Sequence, residues 1–446
     1  MFTPELLARL DVPAPRYTSY PTVPEWGRRV DPAAYRARLR LVGARSAPVS
    51  LYVHIPFCRD RCAFCGCNVV VAREQRRSDS YLDALEAEMD LVLSELGSKP
   101  RVRELHLGGG TPTFLDESRL ARLFRALHAR FDIEADTEIS VEIDPVETSV
   151  SQLELLAELG VRRISLGVQD LDPAVQEIIR RPQSVEITRE LSEHARRLAY
   201  SSVNYDLIYG LPRQTSASWS KTLDEVIALR PDRIAVYGFA YVPSMRPHQK
   251  ALAEFPIPAG AEKLELFHLA SRAFTKAGYL PLGMDHFALP EDSLSQALAE
   301  GRLDRSFMGY RVAGPDVLIG LGPSAIGDLD GFYAQTEPQL LRWSTAVKKG
   351  QLPIIRGHHL SDDDRRRRAI ITRLMCELRL DLKSLPKNLE SAVESLAWME
   401  TEELLERREG AVLVTEKGRP FVRNVAMAFD RYLEERKSQP GFSRAI

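Results

Sequence analysis

At 446 residues, with 44% hydrophobic and 27% charged positions, the chain has room for about three domains of roughly 150 residues, and its composition excludes disordered, collagen-like and membrane classes. A formal net charge of −2 gives no electrostatic case for a nucleic-acid partner, although an arginine pocket for a local anion stays open. MFTPELLARLDVPAPRYTSY has no basic segment leading into an apolar run, and no later stretch holds about eighteen uninterrupted apolar residues, so a cytoplasmic protein with no membrane partner is expected.

In chain order, residues 1–45 contain PAPRYTSYPTVPEW, too rich in proline for a helix and expected to form an extended strap over the core. From Leu51 onward short apolar runs alternate with helical patterns. LYVHI (51–55), RELHL (103–107), EISVEI (138–143), RISLGV (163–168), VNYDLIYG (203–210) and RIAVYGF (233–239) read as strands. Between them, residues 81–96 carry Leu82, Leu85, Met89, Leu93 and Leu96 on one face with Gly97 placed to end a helix, and residues 116–131 carry Leu120, Leu123, Phe124 and Leu127. Strands each followed by a helix imply parallel pairing through right-handed crossovers. Eight such units close a barrel; six predict an incomplete, TIM-like (β/α)6 barrel whose open side admits a large substrate, with chemistry at the C-terminal strand ends.

After about residue 330 helical patterns dominate. The expected division is a strap and lead-in over 1–45, a catalytic α/β domain over 46–330 and a mainly helical domain over 331–446, with no internal repeat. In the last, Ser361 ahead of DDDRRRR (362–368) reads as a helix N-cap followed by acids that favour the helix dipole.

Four of the five cysteines lie in HIPFCRDRCAFCGC (54–67), and the fifth is Cys376. An odd number gathered at one place suits a metal or redox site better than a disulfide framework. Cys58, Cys62 and Cys65 form CxxxCxxC just past the first strand. Four thiolates saturate a 4Fe-4S cluster, whereas three leave one iron open to bind a cofactor. The cysteines alone also permit a zinc knot with Cys67 as fourth ligand, in a structural protein. In LHLGGGTPTFL (105–115), three glycines after a strand let the backbone approach a ligand, or simply make a tight turn. Glu142, Gln169, Asp206 and Ala240 fall at or just beyond the C-terminal ends of predicted strands. Glu142 or Asp206 suits ribose hydroxyls, or else a salt-bridged rim; Arg181 suits a carboxylate, or else is a solvated surface charge. LIGLGPSAIG (318–327) superficially mimics a dinucleotide GxGxxG, but no βαβ context supports that reading.

CxxxCxxC directly after HIPFC, Phe64 before the third cysteine and GGGTP one β-α unit later resemble the signature of the radical S-adenosylmethionine (SAM) superfamily. With PRYTSYPT, the CGC ending, EIDP, GVQD, DLIYGLP, GMDHFALP and Gly309-Tyr310, most of the chain resembles the oxygen-independent coproporphyrinogen III oxidase (dehydrogenase) family. The resemblance implies an oxidoreductase of haem biosynthesis that decarboxylates two propionates of a tetrapyrrole through a 5′-deoxyadenosyl radical. It implies a 4Fe-4S cluster on Cys58, Cys62 and Cys65, and two SAM molecules. Tyr52, Gly109, Glu142 and Ile326 then fall around the cluster-bound SAM, and Phe64, Gly110, Thr111, Gln169, Arg181, Asp206 and Ala240 around the second. Cys67 is the additional cysteine, needed for activity without ligating the cluster. A monomer with an unidentified electron donor and acceptor is expected. One departure is Met308, where the family carries Gln. The rival readings are a haem-binding chaperone, whose kind generally lacks the extra cysteine and the strap, a radical SAM methyltransferase, and the zinc-held structural protein.

Overall fold

The computed structural model describes residues 2–27, 30–435 and 442–446. Six strands, β1 (Val49–Ile55), β2 (Arg101–Gly109), β3 (Asp132–Ile143), β4 (Arg163–Gln169), β5 (Ser202–Tyr209) and β6 (Arg233–Gly238), lie side by side in that order. Every neighbouring pair is parallel. Their alternation decides what faces where, because successive strand side chains point to opposite faces. Val49, Leu51, Val53 and Ile55 of β1 join Leu105, Leu107, Ile139 and Val141 in the main core. The intervening His106, Ser140, Glu142, Ser165, Asn204 and Asp206 face the lumen. The polar half of each strand pattern is therefore the lining of the barrel.

The covering helices close that core. Leu82, Leu85 and Met89 of α3 (Arg76–Leu96) are fully buried. The helix begins earlier than its apolar pattern suggested and ends at Gly97, whose φ of 77° suits the left-handed cap. In α4 (Glu117–Arg130) the Asp116 carboxylate accepts from the Arg119 N–H at 3.0 Å, the bond that starts the helix.

The sheet is wider than six strands. β7 (Val317–Leu321) adds in parallel to the free side of β1, followed by antiparallel β8 (Ile326–Leu329), β9 (Phe332–Thr336) and β10 (Ile354–His359). At the other edge the hairpin 280–288 pairs antiparallel with β6, giving twelve strands in one sheet. The expected break after residue 330 thus falls in the turn between β8 and β9, whose Phe332, Tyr333 and Ala334 are buried. We place the division near Leu360 instead. Beyond it, helix Asp362–Glu377 starts with a capping box between Ser361 and Asp364. The small domain is mainly helical, as expected, and also holds a three-stranded antiparallel sheet.

Residues 1–45 also differ from a simple strap. The extended stretch runs between two helices, α1 (Pro4–Leu10) and α2 (Pro32–Arg45). Leu6, Leu7 and Leu10 of α1 pack into the core of the small domain, while Tyr35, Leu39 and Val42 of α2 pack on the barrel. Between them the Tyr17 hydroxyl donates to Asp430 at 3.0 Å, and Trp26 stacks on Tyr333 with centroids 4.9 Å apart. Among the described residues no helix is long and apolar enough to cross a membrane.

Candidate active site

β1 ends at Ile55, and the cysteine loop that follows is held by backbone bonds. The Val70 N–H donates to the Pro56 carbonyl at 2.7 Å, Ala72 N–H to Cys58 O at 3.0 Å and Ala63 N–H to Ile179 O at 2.9 Å. From the segment after β6, His248 Nε2 lies 2.9 Å from Cys65 O, and Gln249 Nε2 donates to Phe64 O at 2.9 Å and Ala240 O at 3.1 Å. Cys58, Cys62 and Cys65 are half-buried and Cys67 is exposed. Cys58 Sγ lies 3.5 Å from Thr111 Oγ1, and Arg181 Nη1 donates to Cys62 Sγ at 3.6 Å. Burial raises the Cys58 thiol to about 12 and raises Cys62, whereas hydrogen bonding from Cys67 lowers Cys65.

The glycine turn sits against this loop. Gly110 N–H donates to Ile55 O at 2.8 Å and Thr111 N–H to Phe57 O at 2.7 Å. A Cβ on Gly110 would lie 2.5 Å from Phe57 O, and one on Gly109, where φ is 117°, would lie 2.6 Å from the His54 ring. No side chain fits there, and the backbone is left bare to the cleft.

Glu142 accepts from Gly109 N–H at 3.1 Å and pairs with His106 Nε2 at 3.3 Å. Burial alone would raise its carboxyl; these bonds and the His106 charge hold it below the ordinary value. Asp206 accepts from Ser165 Oγ and Asn204 Nδ2, both at 2.9 Å, and burial together with the nearby Glu142 charge raises it to about 6. Gln169 adopts φ 64° at a register shift after Gly167, a strained, side-chain-bearing position at the strand end. Arg181 pairs with Asp144 at 2.6 Å and donates to Gly167 O at 2.9 Å.

A cleft of about 390 Å³ gathers Cys58, Cys62, Phe64, Cys65, Cys67, Gly109, Gly110, Thr111, Glu142, Gln169, Arg181 and Asp206. Three of the expected residues lie outside that lining. The Tyr52 hydroxyl is 3.0 Å from His54 Nδ1 and its ring stacks on His106 inside the barrel. Ala240 presents its carbonyl to Gln249, and Ile326 opens β8 beside Trp26, Tyr333 and Leu360. Glu142, Ser165, Asp206 and Tyr237 line both the cleft and the lumen, so the two spaces adjoin. Met308 also lines the lumen. His248 and Gln249 carried no sequence signal, because a segment distant in the chain brings them here, whereas Asp144 in EIDP and Tyr237 on β6 lay in stretches read for other residues.

The donor set fits an iron-sulfur cluster with SAM: three thiols on one loop, a bare glycine backbone opposite and carboxylates between. Together with the parallel half-barrel it defines a radical SAM enzyme. A Radical SAM superfamily model matches residues 52–226, and a HemN C-terminal domain model matches residues 360–421. The chain is 40% identical to the oxygen-independent coproporphyrinogen III oxidase of Pseudomonas aeruginosa, covering 99% of this chain and 98% of that one. It is 38% identical to the Escherichia coli enzyme of the same name, with coverage of 99% and 98%. The solved coproporphyrinogen III oxidase of E. coli, described as a radical SAM enzyme, superposes with a TM-score of 0.87 at 38% identity over 94% of this chain and 97% of that one. The chain belongs to the oxygen-independent coproporphyrinogen III oxidase family.

Proposed function

We propose that the protein converts two propionate side chains of coproporphyrinogen III to vinyl groups without oxygen, giving protoporphyrinogen IX in haem biosynthesis. The observation that carries this reading is the cysteine cleft lying against a polar lumen and sharing residues with it, in a chain similar over its whole length to enzymes of that name. When bound and reduced, the cluster and SAM supply a 5′-deoxyadenosyl radical that takes a hydrogen atom from the propionate β-carbon, with loss of CO₂ and of one electron to an acceptor.

The chain's own residues bind, orient and shield. Cys58, Cys62 and Cys65 hold the cluster. Gly109 and Gly110 let main-chain groups reach a SAM amino group, and Glu142, kept ionised by His106 and Gly109, suits donors from the same molecule. Phe64, Gly110, Thr111, Gln169, Arg181, Asp206 and Ala240 serve a second SAM; Arg181 and Asp206 supply an opposed cation and carboxylate across the cleft. Tyr52 and Ile326 act from behind, on the side of the first SAM. Cys67, exposed next to Cys65, takes part in the reaction without ligating iron. The protein works as a cytoplasmic monomer with a separate one-electron donor and acceptor.

The test is an anaerobic assay of the reconstituted protein with coproporphyrinogen III, SAM and a reductant, reading tetrapyrrole masses and 5′-deoxyadenosine together. Loss of two carboxyl-derived units is expected. A methylated tetrapyrrole would move the protein to the methyltransferase reading, and tight haem binding without turnover to the chaperone reading.

A further inference from the structure

The GMDHF segment (283–287) organises a cluster of aromatic and charged groups at the wall of the lumen. Gly283, at φ 50°, leaves room for Tyr310, whose hydroxyl would lie 2.1 Å from any added Cβ. That hydroxyl accepts from Met284 N–H at 2.9 Å and donates to Met375 O at 2.7 Å, which fixes the ring. His286 packs edge-on against Tyr310 and Tyr237, at centroid distances of 4.9 and 5.7 Å, and its Nδ1 bonds to Asp285 at 2.7 Å.

The Arg305 guanidinium lies over the Tyr310 ring at 4.4 Å and is only 8% exposed. Its Nη2 reaches Arg16 O at 3.3 Å, but among the described residues Nε and Nη1 have no hydrogen-bond partner. The ring satisfies the face of the guanidinium and not the in-plane donors on its edge. Other buried cations here are better engaged: Arg233 pairs with Asp292 at 2.6 Å, and the Arg423 guanidinium donates to the carbonyls of Ala14, Arg444 and Ala445 and leaves Nε without a partner, whereas Arg305 leaves both Nε and Nη1. Asp285 does not complete Arg305 either. Its free Oδ2 lies 3.8 Å from Arg16 Nη1 and accepts no hydrogen bond.

The surroundings are mainly cationic. Arg16, Arg305 and Arg423 stand near Asp285, and Lys263 stands near Arg16, Arg423 and Asp11, where burial with the two arginine charges lowers its ammonium to about 7. Unfilled donors on a buried cation are costly, and a carboxylate offers the two parallel acceptors that a guanidinium edge matches. Arg305 also borders a cavity of about 500 Å³ between Tyr17–Tyr20 of the strap and the hairpin 303–312, and Arg311 is common to this cavity and the lumen.

We propose that Arg305, backed by Arg16, is a carboxylate-binding subsite that holds one propionate of the tetrapyrrole while another is presented to the cluster cleft. The proposal rests on the decarboxylase reading for the identity of its ligand. The probe is coproporphyrin III, the oxidised tetracarboxylate, titrated by fluorescence into the anaerobic cluster-loaded protein. Replacing Arg305→Gln should raise its Kd about tenfold or more, and the KM for coproporphyrinogen III alongside it, with kcat, cluster absorbance and SAM affinity kept. R305K, which keeps charge but loses the fork, should fall between wild type and R305Q. If R305Q does not fold, R305K and R16Q carry the test, each expected to weaken binding about threefold.

Binding by a folded R305Q within about twofold of wild type, or by both substitutes at wild-type strength, overturns the subsite. The two readings fail separately. A wild type that binds coproporphyrin III through Arg305 yet does not decarboxylate coproporphyrinogen III sinks the function and leaves the subsite. Normal turnover with Arg305-independent binding sinks only the subsite.

Discussion

Asp206→Asn should make the cofactor-free protein more stable at pH 8 while weakening its hold on SAM. Burial and the Glu142 charge raise the Asp206 carboxyl from 3.8 to about 6. That shift of roughly 2 units corresponds to about 3 kcal/mol at 1.36 kcal/mol per unit. Asp206 lines open space, so water screens part of it and about 1–2 kcal/mol is expected. The sign follows from proton linkage. The folded state holds this proton more tightly than the unfolded chain, so the wild-type advantage is complete below pH 3.8 and disappears as pH rises through about 6. Asn has no proton to lose, and Ser165 and Asn204 still offer it hydrogen bonds. The assay is urea denaturation of both proteins at several pH values. The stability of D206N minus that of the wild type should grow from near zero at acid pH to about 1–2 kcal/mol at pH 8. In the same preparations, SAM affinity should fall about tenfold or more with loss of a charged acceptor. A difference in stability that is flat with pH, or that favours the wild type at pH 8, refutes the reasoning.

Cys67→Ser should keep the iron and sulfide content, near four of each per chain for one cluster, and the visible spectrum, yet lose vinyl formation; loss of the cluster would make Cys67 a ligand. Cys62→Ala should reduce iron and sulfide and abolish SAM cleavage, measured as 5′-deoxyadenosine. Gly110→Ala, with a Cβ only 2.5 Å from Phe57 O, should leave the far-UV circular dichroism unchanged while SAM binding, read by calorimetry, drops at least about tenfold. Asp292→Ala removes both the cap of helix Ser293–Ala299 and the buried partner of Arg233. Denaturation should show a loss of about 3–5 kcal/mol, with SAM affinity unaltered.

The six parallel strands were legible because each is an apolar run followed by an amphipathic helix, and the cysteine loop and glycine turn were legible because their spacing is local. β7 escaped notice: Val317–Leu321 lies inside a glycine-rich stretch that resembles a nucleotide loop more than a strand, and only pairing to β1 defines it. The helices on either side of the strap were hidden by the attention its prolines drew, although Pro4 and Pro32 sit at the first helical turn where proline is welcome. Of the site, Glu142 and Asp206 could be picked out as strand-end acids. The contacts of Arg305, Asp285 and Arg16 could not, since they join parts of the chain separated by more than 250 residues and no periodicity encodes such a meeting.

The packing of α1 into the small domain has a consequence for the order of assembly. Leu6, Leu7, Leu10 and Tyr17 share a core with Phe421, Val422, Val425 and Phe429, so these residues must wait for partners made much later along the chain. The barrel strands pair with sequence neighbours and need no such wait, whereas closing so long a loop carries an entropic cost and comes late. During synthesis the half-barrel therefore passes through a stage with its strap undocked and its side open.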